Sequence, residues 1–405
     1  MQNTYYLKNG ICLVCENMPF AKSVSVGVWV KAGSMYEKPY ESGISHFIEH
    51  MLFKGTQSRS AEELAEEMDF IGGQINAYTA RECTVYYTRT LENSLEKSLD
   101  VLSDMFYNSL FSHEDIKLEK SVVLEEIDMY EDSPEDVALD TIAESVWSKS
   151  SLGNPVAGTS KSVKKITRDM MLDYMKRRYT PENTVISVAG KFDENNLVEL
   201  CEKYFGADAK GEKDEIQQAE FQSGIWHRKK DIEQTHLSIA YPCPCLADDK
   251  SYEVSLLNNI FGGSMSSRLF QAVRERNGLC YTIYSYISSY QQAALLGIYV
   301  ALANQNLELV QKLIDEEIER ICSQRLCERE IEKARSQMLC SIIMGGESVS
   351  ARMNDNGKSQ LLLGRLRTEE EIVEKINAIS AEKVLETANT VFKNGKSGKF
   401  ILESK

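Results

Sequence analysis

One order of segments occurs twice along this 405-residue chain, and that repetition limits the fold more than any single motif. In the first half, alternating apolar runs at 6–15 and 23–31 (SVSVGVWVK) read as strands. Helical periodicity follows at 43–53. It returns after Ser60, where Ser60 and Glu63 form a capping box for a helix reaching Phe70. Gly72 and Gly73 end that helix, and QINAYT and CTVYYTRT read as two further strands. Residues 91–147 are helical, broken at Ser112-His113 and Ser133-Pro134. A helix at 168–178, a strand at 184–189 and a helix at 195–205 complete the half. A similar order then returns: a strand at 236–241, helices at 251–260 and 267–275, and strands at 281–288 and 296–303. Helices at 307–323 and 328–344, a helix at 381–391 and a strand at 399–403 close the chain.

The chain therefore reads as α+β, with two related domains, each an antiparallel-rich sheet with helices packed on it. The likeness lies in element order and not in residues, and the last two elements of the second half come reversed. The polar, Gly-containing stretch 207–224 reads as a linker, which sets the domains at 1–206 and 225–405. The length suits two cores of about 200 residues each.

Composition narrows the partners. Sixty-one acids against 46 bases leave a net charge of −15, which repels phosphate backbones and argues against nucleic acid. The N-terminal residues lack the basic start and apolar core of a signal peptide, and no run of about 18 apolar residues occurs. The expected location is the cytoplasm, with no membrane span. Ten cysteines show no scaffold spacing. Cys12 and Cys15 fall three apart on a strand and so face opposite ways.

The chemistry concentrates in residues 45–50, SHFIEH. On a helix, His46 and His50 are one turn apart on one face, so both imidazoles reach a common ion. Glu49 projects beside that face, within reach of a water held there. The flanking Ile44, Phe47, Ile48, Met51 and Leu52 are apolar, so the helix is expected to be buried. Two imidazoles and a carboxylate are costly to bury without partners, and a metal ion relieves that cost. A tetrahedral zinc site with one open position needs a third protein ligand.

The spacing is that of an inverzincin. The stretch GSMYEKPYESGISHFIEHMLFKGT closely resembles the zinc-helix region of the pitrilysin/insulinase family, which includes processing peptidases and their bacterial relatives. The resemblance implies a zinc metalloendopeptidase with one Zn2+ per chain. His46 and His50 would be ligands, and the third would be a glutamate on a later helix, matching Glu126 within KLEKSVVLEEIDMYEDSP. Glu125 competes for that role. On a helix Glu119 and Glu126 share a face, while Glu125 is turned about 100° from Glu126. The family pattern puts an orienting acid at Glu119. Glu49 would be the general base for metal-assisted amide hydrolysis.

Two more segments resemble the family. GGQINAYTARECTVYY, residues 72–87, matches a strand edge that pairs with extended substrate, making Asn76, Ala77 and Tyr78 candidate contacts. FGGSMSSRLFQAVRERNGLCYTIYSY, residues 261–286, carries an arginine and a tyrosine, Arg274 and Tyr281, that by resemblance reach the zinc site and stabilise the oxyanion. Gly262 and Gly263 would border the substrate entrance. The loop SLGNPVAGT, 151–159, departs from the family pattern. Relatives of twice this length hold two such units, and shorter ones pair. The expected assembly is a homodimer acting on peptides or unfolded segments, with Arg274 and Tyr281 supplied across the interface. The alternative is a non-catalytic or partner-dependent subunit of a processing-peptidase-like complex.

Overall fold

The run 6–15, expected as one strand, is a hairpin. Strands β1 (Gln2–Tyr6) and β2 (Cys12–Asn17) pair antiparallel, Tyr6 facing Cys12. Gly10 between them adopts φ 99°, a left-handed conformation open to glycine at no steric cost. This computed structural model describes residues 2–207 and 219–404. Most of the expected linker, 207–224, lies outside the described residues, and its last residue, Gly224, already opens a strand.

The elements continue with β3 (Ser23–Val30), α1 (Ile44–Leu52), α2 (Ala61–Phe70), β4 (Gln74–Thr79), β5 (Thr84–Leu91) and α3 (Leu95–Asn108). Next come α4 (His113–Asp132), α5 (Pro134–Val146), α6 (Ser160–Val163), α7 (Arg168–Arg178), β6 (Thr184–Gly190) and α8 (Glu194–Phe205). The capping box at Ser60 and Glu63 is present at the start of α2. Later elements are β7 (Gly224–Lys230), β8 (Thr235–Pro242), α9 (Ser251–Phe261), a π-helical turn (Phe270–Glu275), β9 (Cys280–Ser289) and β10 (Ala294–Leu302). The chain ends with α10 (Leu307–Ser323), α11 (Glu328–Gly346), α12 (Val349–Leu363), α13 (Glu369–Asn377), α14 (Ala381–Phe392) and β11 (Gly398–Ser404).

Two sheets result, in the orders β1-β2-β6-β3-β5-β4 and β7-β11-β8-β10-β9. Setting β1 aside, the two orders match strand for strand, including one parallel pair each, β2 with β6 and β7 with β11. The two-domain α+β expectation is met. Every residue of β6 and of β10 is buried, which fits their near-continuous apolar sequences and sheets covered on both faces.

The compact units are not the contiguous halves. One comprises Met1–Asp128, Asn154–Ile216 and Met344–Thr368; the other comprises Met129–Gly153, Gln217–Ile343 and Glu369–Lys405. The reason is an exchange of helices. Helix α5, from the first half of the sequence, packs on β8 and β11, and α12, from the second half, packs on β2, β3 and β6. In the first unit one core lies between the sheet and α1, α3, α4 and α7. On the sheet's other face Trp29, Val85 and Val185 meet Val349 and Met353 of α12.

Candidate metal centre

Helix α1 begins at Gly43, φ 90°, with no side-chain cap from its own first turn. Glu37 supplies the cap from a distance. Its carboxylate accepts the Gly43 N–H at 2.7 Å and the Ser45 N–H at 2.9 Å, satisfying donors that a helix N-terminus leaves unpaired. Burial pushes the Glu37 carboxyl up to about 7, against the pull of those two N–H donors. Ser45 Oγ also meets the Tyr174 hydroxyl of α7 at 2.8 Å. The loop 151–159 closes this end. A Cβ on Gly43 would stand 2.6 Å from the Ala157 carbonyl oxygen, and one on Gly158 would stand 2.7 Å from Gly43 Cα. Two glycines thus let the loop's backbone lie directly on the start of α1.

The face of α1 so fixed carries the donors. His46 Nε2 and His50 Nε2 lie 3.5 and 3.4 Å from the same oxygen, Oε2 of Glu126 on α4. These separations are long for hydrogen bonds. They match the distance of about 3.4 Å between donors sharing one tetrahedral ion with bonds near 2.0–2.1 Å. Donor atoms of His46, His50 and Glu126 all fall within 4.8 Å of one another, so the residues fit a zinc ion. Glu125 is exposed and is not part of the cluster. Burial, and then the neighbouring His50, push His46 down to about 4, with Glu126 opposing. A neutral imidazole is the ligand form.

Glu119, buried on α4, accepts from His50 Nδ1 at 2.9 Å and from Lys54 Nζ at 2.5 Å. The first contact fixes the tautomer that leaves the Nε2 lone pair free for a metal. Glu49 does not join the donor cluster. Its Oε2 accepts from the Thr79 hydroxyl at 2.5 Å. Burial raises the Glu49 carboxyl; the Thr79 hydrogen bond and His50 oppose this, and Glu126 adds to it.

Thr79 ends β4, the open edge of its sheet. Ile75 and Ala77 share its face and pack on the core beside α1. Alternation turns Asn76 and Tyr78 to the opposite face. There the Tyr78 ring sits 6.1 Å from Trp29 and 6.3 Å from Tyr87. Of the three expected contacts, only Ala77 shares the face of Glu49. The Ala77 N–H bonds to the Asn76 side-chain oxygen at 2.8 Å, so it points to the open edge and not into the ladder with β5.

Residues 12–160 match the family description Insulinase (Peptidase family M16), and residues 165–338 match Peptidase M16 inactive domain. The protein named "Uncharacterized zinc protease YmxG" from Bacillus subtilis is 41% identical over 97% of this chain and 96% of its own. The chain belongs to the insulinase (M16) peptidase family. An "Uncharacterized zinc protease" of Rickettsia bellii is 38% identical over 98% of this chain and 97% of its own. A protease from Helicobacter pylori superimposes with a TM-score of 0.93 at 20% identity, covering 100% of this chain and 99% of that one. Complex III2 from Candida albicans gives 0.87 at 22%, covering 99% and 95%. At such identities these two share the fold alone.

The M16 resemblance also singled out Arg274 and Tyr281, which lie together in the second unit. The Arg274 guanidinium sits 4.7 Å from the Phe270 ring and 4.8 Å from that of Tyr281, a cation–π stack that leaves Tyr281 76% exposed. Gly262 is explained by packing: a Cβ there would meet Ser285 N of β9 at 2.5 Å. Sequence reasoning missed Glu37, Lys54 and Thr79. Lys54 follows His50 by four, two residues past the end of α1, and Thr79 follows Ala77 by two on a strand. Glu37 carries no such spacing signal.

Proposed function

We propose that this chain is a zinc-dependent endopeptidase that hydrolyses peptides or extended protein segments. The observation that carries this reading is the convergence of two imidazole nitrogens on one Glu126 oxygen, with a second carboxylate, Glu49, on the helix that carries the two histidines. His46, His50 and Glu126 would hold the ion, one per chain. Zinc there supplies a Lewis acid that brings the pKa of a water toward about 7. Glu49 takes the proton of the attacking water and returns it to the departing amine. Glu119 keeps His50 in its donor tautomer. The free edge of β4 pairs with substrate main chain, a mode that depends little on side chains.

The same reading makes the working particle a homodimer. Arg274 and Tyr281 of a second copy would face the developing charge on the substrate carbonyl, their stacked and exposed side chains arriving as a unit. A non-catalytic subunit would have no need of three clustered donors with a carboxylate beside them. Metal analysis of purified protein should give close to one zinc per chain, and none retained at neutral pH would defeat the reading. Glu49→Gln should keep zinc and lose cleavage of an unfolded protein such as casein. Mixing Glu49→Gln with Tyr281→Phe should restore part of the lost activity through mixed dimers. No recovery in a confirmed mixed dimer would remove the second-copy assignment.

A further inference from the structure

Glu49 is held by one of its two oxygens. Oε2 accepts the Thr79 hydroxyl at 2.5 Å, while among the described residues Oε1 accepts no hydrogen bond. A threonine hydroxyl has a single proton to give. The Thr84 hydroxyl stands 3.3 Å from that of Thr79, but it donates to the buried Ala32 carbonyl at 3.0 Å. The Thr79 proton is therefore directed to Glu49, over the shorter of its two contacts. A glutamate's terminal torsion is broad and has no strong preference of its own, so this bond decides where the free oxygen points.

We propose that Thr79 is a positioning residue that clamps the Glu49 carboxylate, presenting Oε1 to the attacking water and tying the base to the strand that receives the substrate. The inference rests on the reading of Glu49 as base. Its force comes from Thr79 lying on β4. The edge to which the Ala77 N–H points, there meeting the Asn76 side-chain oxygen, also grips the base, so a peptide seated on that edge finds the carboxylate already oriented. Orientation of this kind acts on the chemical step more than on binding.

Thr79→Val preserves size and β-branching and deletes the hydroxyl; Thr79→Ser keeps it. Steady-state cleavage of a quenched fluorescent peptide should show kcat reduced about 10- to 100-fold in Thr79→Val, with KM within about twofold. Zinc content and unfolding midpoint should match the parent, and Thr79→Ser should recover to within about threefold of the parent kcat. In a Glu49→Gln background, Thr79→Val should leave the residual rate unchanged. A Thr79→Val enzyme with parental kcat overturns the proposal. So does a Thr79→Ser enzyme as slow as Thr79→Val, or an equal further loss in the Glu49→Gln background. Full activity of zinc-loaded Glu49→Gln removes the base itself and the proposal with it; the Glu49 variant alone identifies that outcome.

Discussion

The two units build the same sheet and treat one helix position oppositely. With β1 set aside, two strands in each are followed by a helix that enters the core before a strand hairpin: α1 in the first unit, α9 in the second. The buried face of α1 includes His46 and Ser45 among apolar neighbours. That of α9 is Val254, Leu256, Leu257, Ile260 and Phe261. The long helices after the hairpins differ in the same way. Helix α4 buries Glu119 between Ile116 and Val123, whereas α11 buries Ile331 and Ala334. The fold itself is satisfied by an all-apolar face. The polar groups of the first unit are additions that the architecture does not require, each held by a specific partner.

The sharpest way to break this contrast is to make the first unit resemble the second. The triple change His46→Leu, His50→Leu, Glu126→Leu should abolish zinc binding and lower peptide cleavage by at least about 1,000-fold. The metal-free variant should nevertheless be as stable as the metal-free parent or more so. Replacing buried charged or polar partners together by apolar groups removes their desolvation cost, whereas removing one partner leaves the other stranded. Chemical unfolding in the presence of chelator measures this. A triple variant that fails to fold would show that the polar cluster supports the fold as well as the site.

A smaller effect is expected at Glu37, which has no role in binding metal. Glu37→Ala strands the Gly43 and Ser45 N–H groups at the buried start of α1. The expected loss is about 2 kcal/mol of stability, accompanied by weaker zinc retention because α1 frays at the end nearest His46. Helix α9 should be indifferent. Hydrogen exchange resolved by segment should show faster exchange at 43–47 and none of it at 251–255; uniform acceleration across both segments would refute a local cap.

How much of this was legible in the sequence depended on whether a contact had a period. His46, Glu49 and His50 declare themselves because three chemical groups fall within five residues at helical spacing. Glu126 is too far along the chain for spacing to identify, and it was found by resemblance. The structure brings it, and not Glu125, to the imidazoles. Glu37 was invisible because its partners are backbone N–H groups reached through an irregular turn. Strand β7 (IWHRKK after Gly224) carries no strand expectation in the sequence because its exposed basic residues mask the alternation. Helix α12 was missed because the face it lays on the first sheet includes Asn356, Gly357 and Ser359, so no apolar stripe advertises it. The exchange of α5 and α12 between units has no sequence signature of its own, which is why contiguous domain boundaries were the natural expectation.

The smallest effect concerns acid stability and one buried histidine in each unit. His46 is pushed from its ordinary 6.5 down to about 4 by burial and by His50, with Glu126 opposing. His236 of β8, under the Tyr299 hydroxyl at 2.7 Å, is lowered as well, chiefly by burial, with Glu135 opposing. Below about pH 6.5 the unfolded chain takes up protons that the folded chain refuses at these positions, at His46 down to about pH 4. Stability of the metal-free protein is therefore fully present above 6.5 and falls as the pH drops toward 4, by up to about 1.4 kcal/mol per pH unit for each such proton. Groups facing His46 are His50 and Glu126; Glu119 and Lys54 lie behind His50 and do not reach its ring. Unfolding midpoints of chelator-treated protein across this window should show a shallower slope in His46→Leu and, to a lesser degree, in His236→Leu. The double variant should be the flattest. If His46→Leu left the slope unchanged, the acid sensitivity would belong to the carboxylates of both units, and the metal helix would contribute nothing special to it.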